Sequence, residues 1–246
     1  MPKTPSSSTL RLEAFSDGVI AIAITLLILN IKIPQARDGK LFDAVTNQWP
    51  SYAAFVVSFA VIGIMWVSHH SMFQRIANTD RPLLFLNLLL LLGIAFLPYP
   101  TALLGAYIRD GGANSHIAAA VYSTTMVGIG LAFAGLWWHL GRRPELLVDG
   151  IPPENLRRAT LRSLVGPAVY TATVGLAFIS AAACFVVYVG IAIYFAMGPS
   201  SRAATPGEEL DMAAPKRVAS AAKAAKTTKP RASSTRSKST KSARAR

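Results

Sequence analysis

An all-α membrane protein with six transmembrane helices is what this sequence predicts, and three observations carry the prediction. Charged residues make up only 15% of the 246, and hydrophobic residues 52%; an ordinary soluble domain carries about 25% charge. The apolar residues are gathered into runs long enough to cross a bilayer core, for which about 20 helical residues suffice. The remaining charge is uneven: residues 1–198 hold thirteen Lys and Arg against nine acids, and residues 199–246 hold twelve against three. The chain therefore divides into a membrane domain, 1–198, and a basic tail, 199–246.

The spans follow in order. Gly18–Ile33 is the first, headed by polar residues; Tyr52–His69 is the second. Pro82–Tyr107 is the third, with Pro82 suited to a helix start. Ser115–Leu140 is the fourth, closed by the aromatic and basic boundary "WWHLGRR". Arg162–Met197 is too long for one crossing and divides near Ile179–Ala182 into a fifth and a sixth. Lys and Arg in the short segments set the orientation. Lys3, Arg11, Arg75, Arg81, Arg142, Arg143, Arg157, Arg158 and Arg162 fall on one side; Lys32, Arg37, Lys40 and Arg109 fall on the other. The excess predicts a multi-pass cell-membrane protein with both termini cytoplasmic.

From Gly198 onward no apolar period remains, so the tail is expected to stay disordered. It suits a solvated cytoplasmic extension or contact with anionic lipid. No aromatic residue lies beyond Phe195, which disfavours base stacking and nucleic acid. The apolar run after Gly18 is too long for a signal peptide, and no small-residue cleavage site follows it. The single cysteine, Cys184, allows neither an intramolecular disulfide nor a Cys/His zinc site. No nucleophile has an evident base and no phosphate loop is present. The sequence therefore points to no enzyme, metal site or cofactor.

The informative residues are polar groups beside apolar runs. In "RLEAFSDGVIAIAITLLILNIKI", Ser16 is expected to cap the first helix, with Asp17 in its first turn facing the helix dipole. Arg11 stands a turn earlier. Trp66 and His69 share a helical face, and Asn87 stands alone among leucines. An amide in hydrocarbon must find a partner, so Asn87 is expected to face protein. Arg11, Ser16, Asp17, Trp66, His69 and Asn87 are read as one interhelical packing network. "TVGL" at Thr173–Leu176 lacks the "YG" of a potassium-filter loop and reads as helix, with Gly175 at a close contact. Gly128 and Ala132 read as a small-residue packing pair.

The same residues carry a resemblance. Arg11-x-x-x-Phe15-Ser16-Asp17-Gly18-Val19 with "AIAITLLIL", then Trp66-x-x-His69-x-x-x-Phe73, then Asn87 followed by Phe96-Leu97-Pro98-Tyr99, resemble the first three helices of the transmembrane protein 175 family. That family comprises potassium-permeable channels of lysosomes and their shorter bacterial relatives. The motifs cover residues 11–99; beyond them the likeness is in span count and in "LVGPAVY". The resemblance implies a six-helix subunit without a re-entrant pore loop, assembled as a homotetramer with the first helix lining the pore. It places the constriction at Ile22, with Leu26 and Leu29 further along, and a hydroxyl near the ion path at Thr25. Potassium would then be the permeant species, with protons as a second candidate, and with no cofactor and no small-molecule substrate.

Positions 22, 25, 26 and 29 do fall on one helical stripe. The helix is apolar all round, however, and Ile20, Ile24, Leu27 and Ile31 form an equally apolar face. Two other readings stay open at this stage. One is a proton-coupled secondary transporter using Asp17 and His69; the other is a non-conducting anchor acting through its tail.

Overall fold

The computed structural model describes residues 4–197. The tail from 199, with the disorder and lipid readings attached to it, lies outside the described residues. Among the described residues the structure is helical, with one isolated bridge between Ile76 and Leu147. Among the same residues four helical segments are long and apolar enough to cross a membrane: Ser7–Asn30, Trp49–Phe73, Arg81–Tyr107 and Ala113–Arg142.

Helix α1 (Ser7–Leu26) continues into a 3-10 turn, Leu27–Asn30. It begins well before Gly18, because Ser6 and not Ser16 is the cap: the Thr9 amide donates to Ser6 Oγ. The polar residues ahead of the apolar run are thus helical turns in their own right. The Ser6 amide and the Thr9 hydroxyl both donate to Ala77 O, which ties the start of α1 to the loop after α3.

A short helix, α2 (Leu41–Thr46), precedes α3 (Trp49–Phe73). The third span is two helices, α4 (Arg81–Phe96) and α5 (Pro98–Tyr107), broken at Leu97. Pro98 and Pro100 lack the amides that would continue the ladder. Asp80 caps α4 by accepting from the Leu83 amide at 3.0 Å, and its carboxylate also meets His139 Nε2 at 2.9 Å. Partial burial pushes the Asp80 carboxyl up, but the Leu83 amide and His139 outweigh it and hold it below its ordinary value.

Helix α6 (Ala113–Arg142) runs through the middle and packs on α4, α5 and the three helices that follow it in the chain. Its close approaches are not at Gly128, which is exposed with open space beside it. They fall at Gly130, where a Cβ would stand 2.6 Å from Pro167, while a Cβ on Gly93 would stand 2.6 Å from Ile129. Ala132 is buried as expected, but Gly175 faces outward with nothing near it. A two-residue step turns a helix by about 200°, so Gly128 and Gly130 lie on opposite sides.

The final segment is three helices. Helix α7 (Pro153–Ser163) is polar and amphipathic, α8 (Val165–Ala177) has 13 residues, and α9 (Ala181–Met197) has 17. The chain turns between α8 and α9 at Phe178–Ser180, beside the division expected from sequence. Thr173–Leu176 is helical, as expected.

Candidate functional site

One side of α1 is seated against α3 and α4 by a directional chain of hydrogen bonds. Ser16 Oγ donates to Leu12 O at 2.9 Å, so the hydroxyl accepts from Asn87 Nδ2, also at 2.9 Å. That orients the amide and points Asn87 Oδ1 at His69 Nε2, 3.0 Å away. His69 therefore donates from Nε2, and its buried Nδ1 has no hydrogen-bond partner among the described residues. All three side chains are fully buried, and the imidazole stacks on Phe73 with ring centres 4.2 Å apart. Ser16 is a mid-helix donor and acceptor here, not a cap.

Asp17 is likewise mid-helix and accepts from Trp66 Nε1 at 3.0 Å. Beside it is a contact that the sequence did not suggest. Gln74 Nε2 donates to His70 Nε2, so His70 Nδ1 donates to Glu13 Oε1 at 2.8 Å. The His70 ring also stacks on Trp66. The available signal was the spacing of Glu13 and Asp17, four apart and so on one face of α1. Arg11 is exposed on α1 and takes no part in these contacts.

The two apolar stripes of α1 are now distinguishable. Ile20 is 2% exposed, Ala23 1% and Leu27 0%, packed into the core of this subunit, with Ile24 partly buried against it. Ile22, at 61% exposed, Leu26, at 42%, and Leu29, at 73%, lie outside that core, and Thr25 is exposed with them. The Thr25 hydroxyl donates to Ile22 O, so it leaves no unmet donor on this face. At the end of α1, Asn30 Nδ2 donates to Pro98 O at the α4–α5 break, fixing the helix at both ends.

An all-helical membrane protein whose first helix is bonded on one side and bare on the other is the class that fold and site define. The chain belongs to the TMEM175 family. The family described as endosomal/lysosomal potassium channel TMEM175 matches residues 11–98, the stretch that holds both the stripe and the network. A protein of Streptomyces collinus named as a potassium channel is 51% identical over 201 residues, covering 80% of this chain and 97% of its own. The crystal structure of a lysosomal potassium-selective channel TMEM175 homologue from Chamaesiphon minutus matches with a TM-score of 0.70 and 39% identity. It covers 78% of this chain and 98% of that one. The Bos taurus protein named endosomal/lysosomal proton channel TMEM175 is 42% identical over 97 residues, 36% of this chain and 20% of its own. These relatives are ion channels, not enzymes.

Proposed function

We propose that the chain is a potassium-permeable cation channel, conducting potassium and protons passively. Its subunits cross the cell membrane six times, with both termini cytoplasmic, and four of them assemble with α1 of each lining the pore. The observation that carries this reading is the division of α1. Ile20, Ala23 and Leu27 are covered by the subunit itself, whereas Ile22, Leu26 and Leu29 are left for neighbouring copies and the axis between them. Family membership favours the axis over lipid for that bare stripe, because the channel relatives match this helix.

Four copies of Ile22 and Leu29 form an apolar ring that closes by excluding water. Opening then needs only a small tilt or rotation of α1, enough to admit a partly hydrated ion. An apolar ring supplies no carbonyl dipoles, so discrimination between potassium and sodium is modest. The transporter alternative loses its relay: Asp17 bonds Trp66 and His69 bonds Asn87, two separate contacts.

The test is the reversal potential of the purified protein in a planar bilayer, with potassium chloride on one side and sodium chloride on the other. The current is expected to reverse toward the potassium equilibrium potential. Ile22→Asn is expected to wet the ring and raise the leak severalfold. A mutant leak equal to that of the wild type sinks the pore assignment, and counterflow without current sinks the channel.

A further inference from the structure

A cavity of about 320 Å³ opens between α3, α6, α7, α8 and α9. It lies on a different face of α3 from Trp66, His69 and His70, and none of its lining residues belongs to the α1 network. Its volume is within the range of small-molecule sites, but its chemistry is divided end to end. Val61, Met126, Ile129, Phe133 and Ile191 form an apolar wall, and from Val61 to Ser71 the α3 side runs roughly 15 Å. At the far end stand Arg75, from the loop after α3, and Arg158 and Arg162 of α7; among the described residues no carboxylate lines the cavity.

Arg75 is the unusual member. It is partly buried with its guanidinium over the Trp137 ring, 5.8 Å from the centroid, and it forms no ion pair among the described residues. Burial alone pushes its guanidinium below the ordinary value. A cation stripped of part of its water and facing no acid is costly unless an anion arrives. Arginine suits phosphate through paired N–H donors, and basic pockets between membrane helices at the headgroup level accept anionic lipid.

We propose that this cleft binds an anionic phospholipid, with one acyl chain along the α3–α6–α9 wall and the phosphate on Arg75 and Arg158, beside Arg162. Other occupants fit worse. Free phosphate would leave the apolar wall uncovered. A zwitterionic lipid brings its own cation to an arginine cluster. The chain's own tail, with twelve bases against three acids, has the wrong sign. The inference rests on the membrane placement of the bundle but not on conduction.

The test uses the full chain in phosphatidylcholine vesicles doped with a phosphatidylglycerol that carries a photoreactive diazirine in its acyl chain. Cross-links are then mapped to peptides. Labelling is expected at Met126, Phe133 and Phe195. It should fall about tenfold or more with photoreactive phosphatidylcholine, which brings its own cation, or in the Arg75→Gln/Arg158→Gln variant, which loses the charged hydrogen bonds to the phosphate. Ala192→Trp fills the cleft while keeping the arginines, and should abolish labelling as well. Position mapping excludes lipid held by the tail, and gel filtration reports folding whether or not the protein conducts. The proposal is overturned by equal labelling from the two lipids or by labelling unchanged in either variant.

Discussion

The chain His69–Asn87–Ser16 joins α3, α4 and α1, and the chain Thr173–Ser123–Tyr188 joins α8, α6 and α9. Both are buried, and both tie three helices through one central side chain. They differ in redundancy. Among the described residues Asn87 is the only hydrogen-bond partner of the His69 ring nitrogens, and Nδ1 has none. Around Ser123 each partner has an alternative carbonyl acceptor, Ala119 O for Tyr188 Oη and Tyr170 O for Thr173 Oγ1, so the three hydroxyl protons are shared over four contacts. The helices differ in the same sense. Helix α6 buries residues from Ser115 to Leu140 along its whole length, whereas α1 buries only Thr9, Ser16, Ile20 and Ala23. Helices α6, α8 and α9 are held by area and spare acceptors. The first helix is held by a few bonds and keeps its remaining surface uncovered, which suits the pore-lining role proposed for it.

The largest effect is therefore expected at Asn87. Asn87→Leu removes the acceptor of His69 and the donor to Ser16 in one step. A buried polar group left unmet costs about 1–3 kcal/mol, though hydrogen bonds between membrane helices average nearer 0.6 kcal/mol because the reference state finds partners too. A loss of about 2–3 kcal/mol, measured by denaturant unfolding in detergent, is expected, along with altered conductance, since α1 loses its register. A stable variant with unchanged conductance would show that apolar packing alone seats α1.

A smaller effect is expected at the α4 cap. Asp80→Ala removes the bond to the Leu83 amide and the contact with His139, for about 1–2 kcal/mol. Because the folded carboxyl lies below its ordinary value, its contribution is fully present above pH of about 4 and is lost as pH falls through the folded value. The difference in stability between wild type and Asp80→Ala should shrink as pH drops below 4. A constant difference across that window would assign the effect to the cap geometry alone.

Much of the site was legible because its residues are chemically out of place. Asn87 among leucines has to find a partner, and Trp66 and His69 share a face. The start of α1 was misread because Ser16 directly precedes the apolar run, and the earlier polar turns look like a loop. Yet Ser16 also held the means to choose between stripes. Ile20, Ala23 and Leu27 follow it by four, seven and eleven residues, on the face that a buried hydroxyl must share. The amphipathic α7 was passed over because "PENLRRATLRS" is too polar to be a span. The hydroxyl chain around Ser123 left no mark, since helical Ser and Thr can satisfy themselves on a carbonyl one turn back.

That last point gives the smallest prediction and the sharpest test of the comparison. Ser123→Ala deletes the central side chain of the second network as Asn87→Leu deletes that of the first. Here, though, Tyr188 keeps Ala119 O and Thr173 keeps Tyr170 O, so no buried donor is stranded. The cost should stay near the membrane average of about 0.6 kcal/mol, and conductance should not change, because α6, α8 and α9 remain packed. A double variant with Asn87→Leu should be additive, since the two networks share no residue. If Ser123→Ala instead costs as much as Asn87→Leu, redundancy is not what separates the regions. The movement proposed for α1 would then have to rest on its bare surface alone.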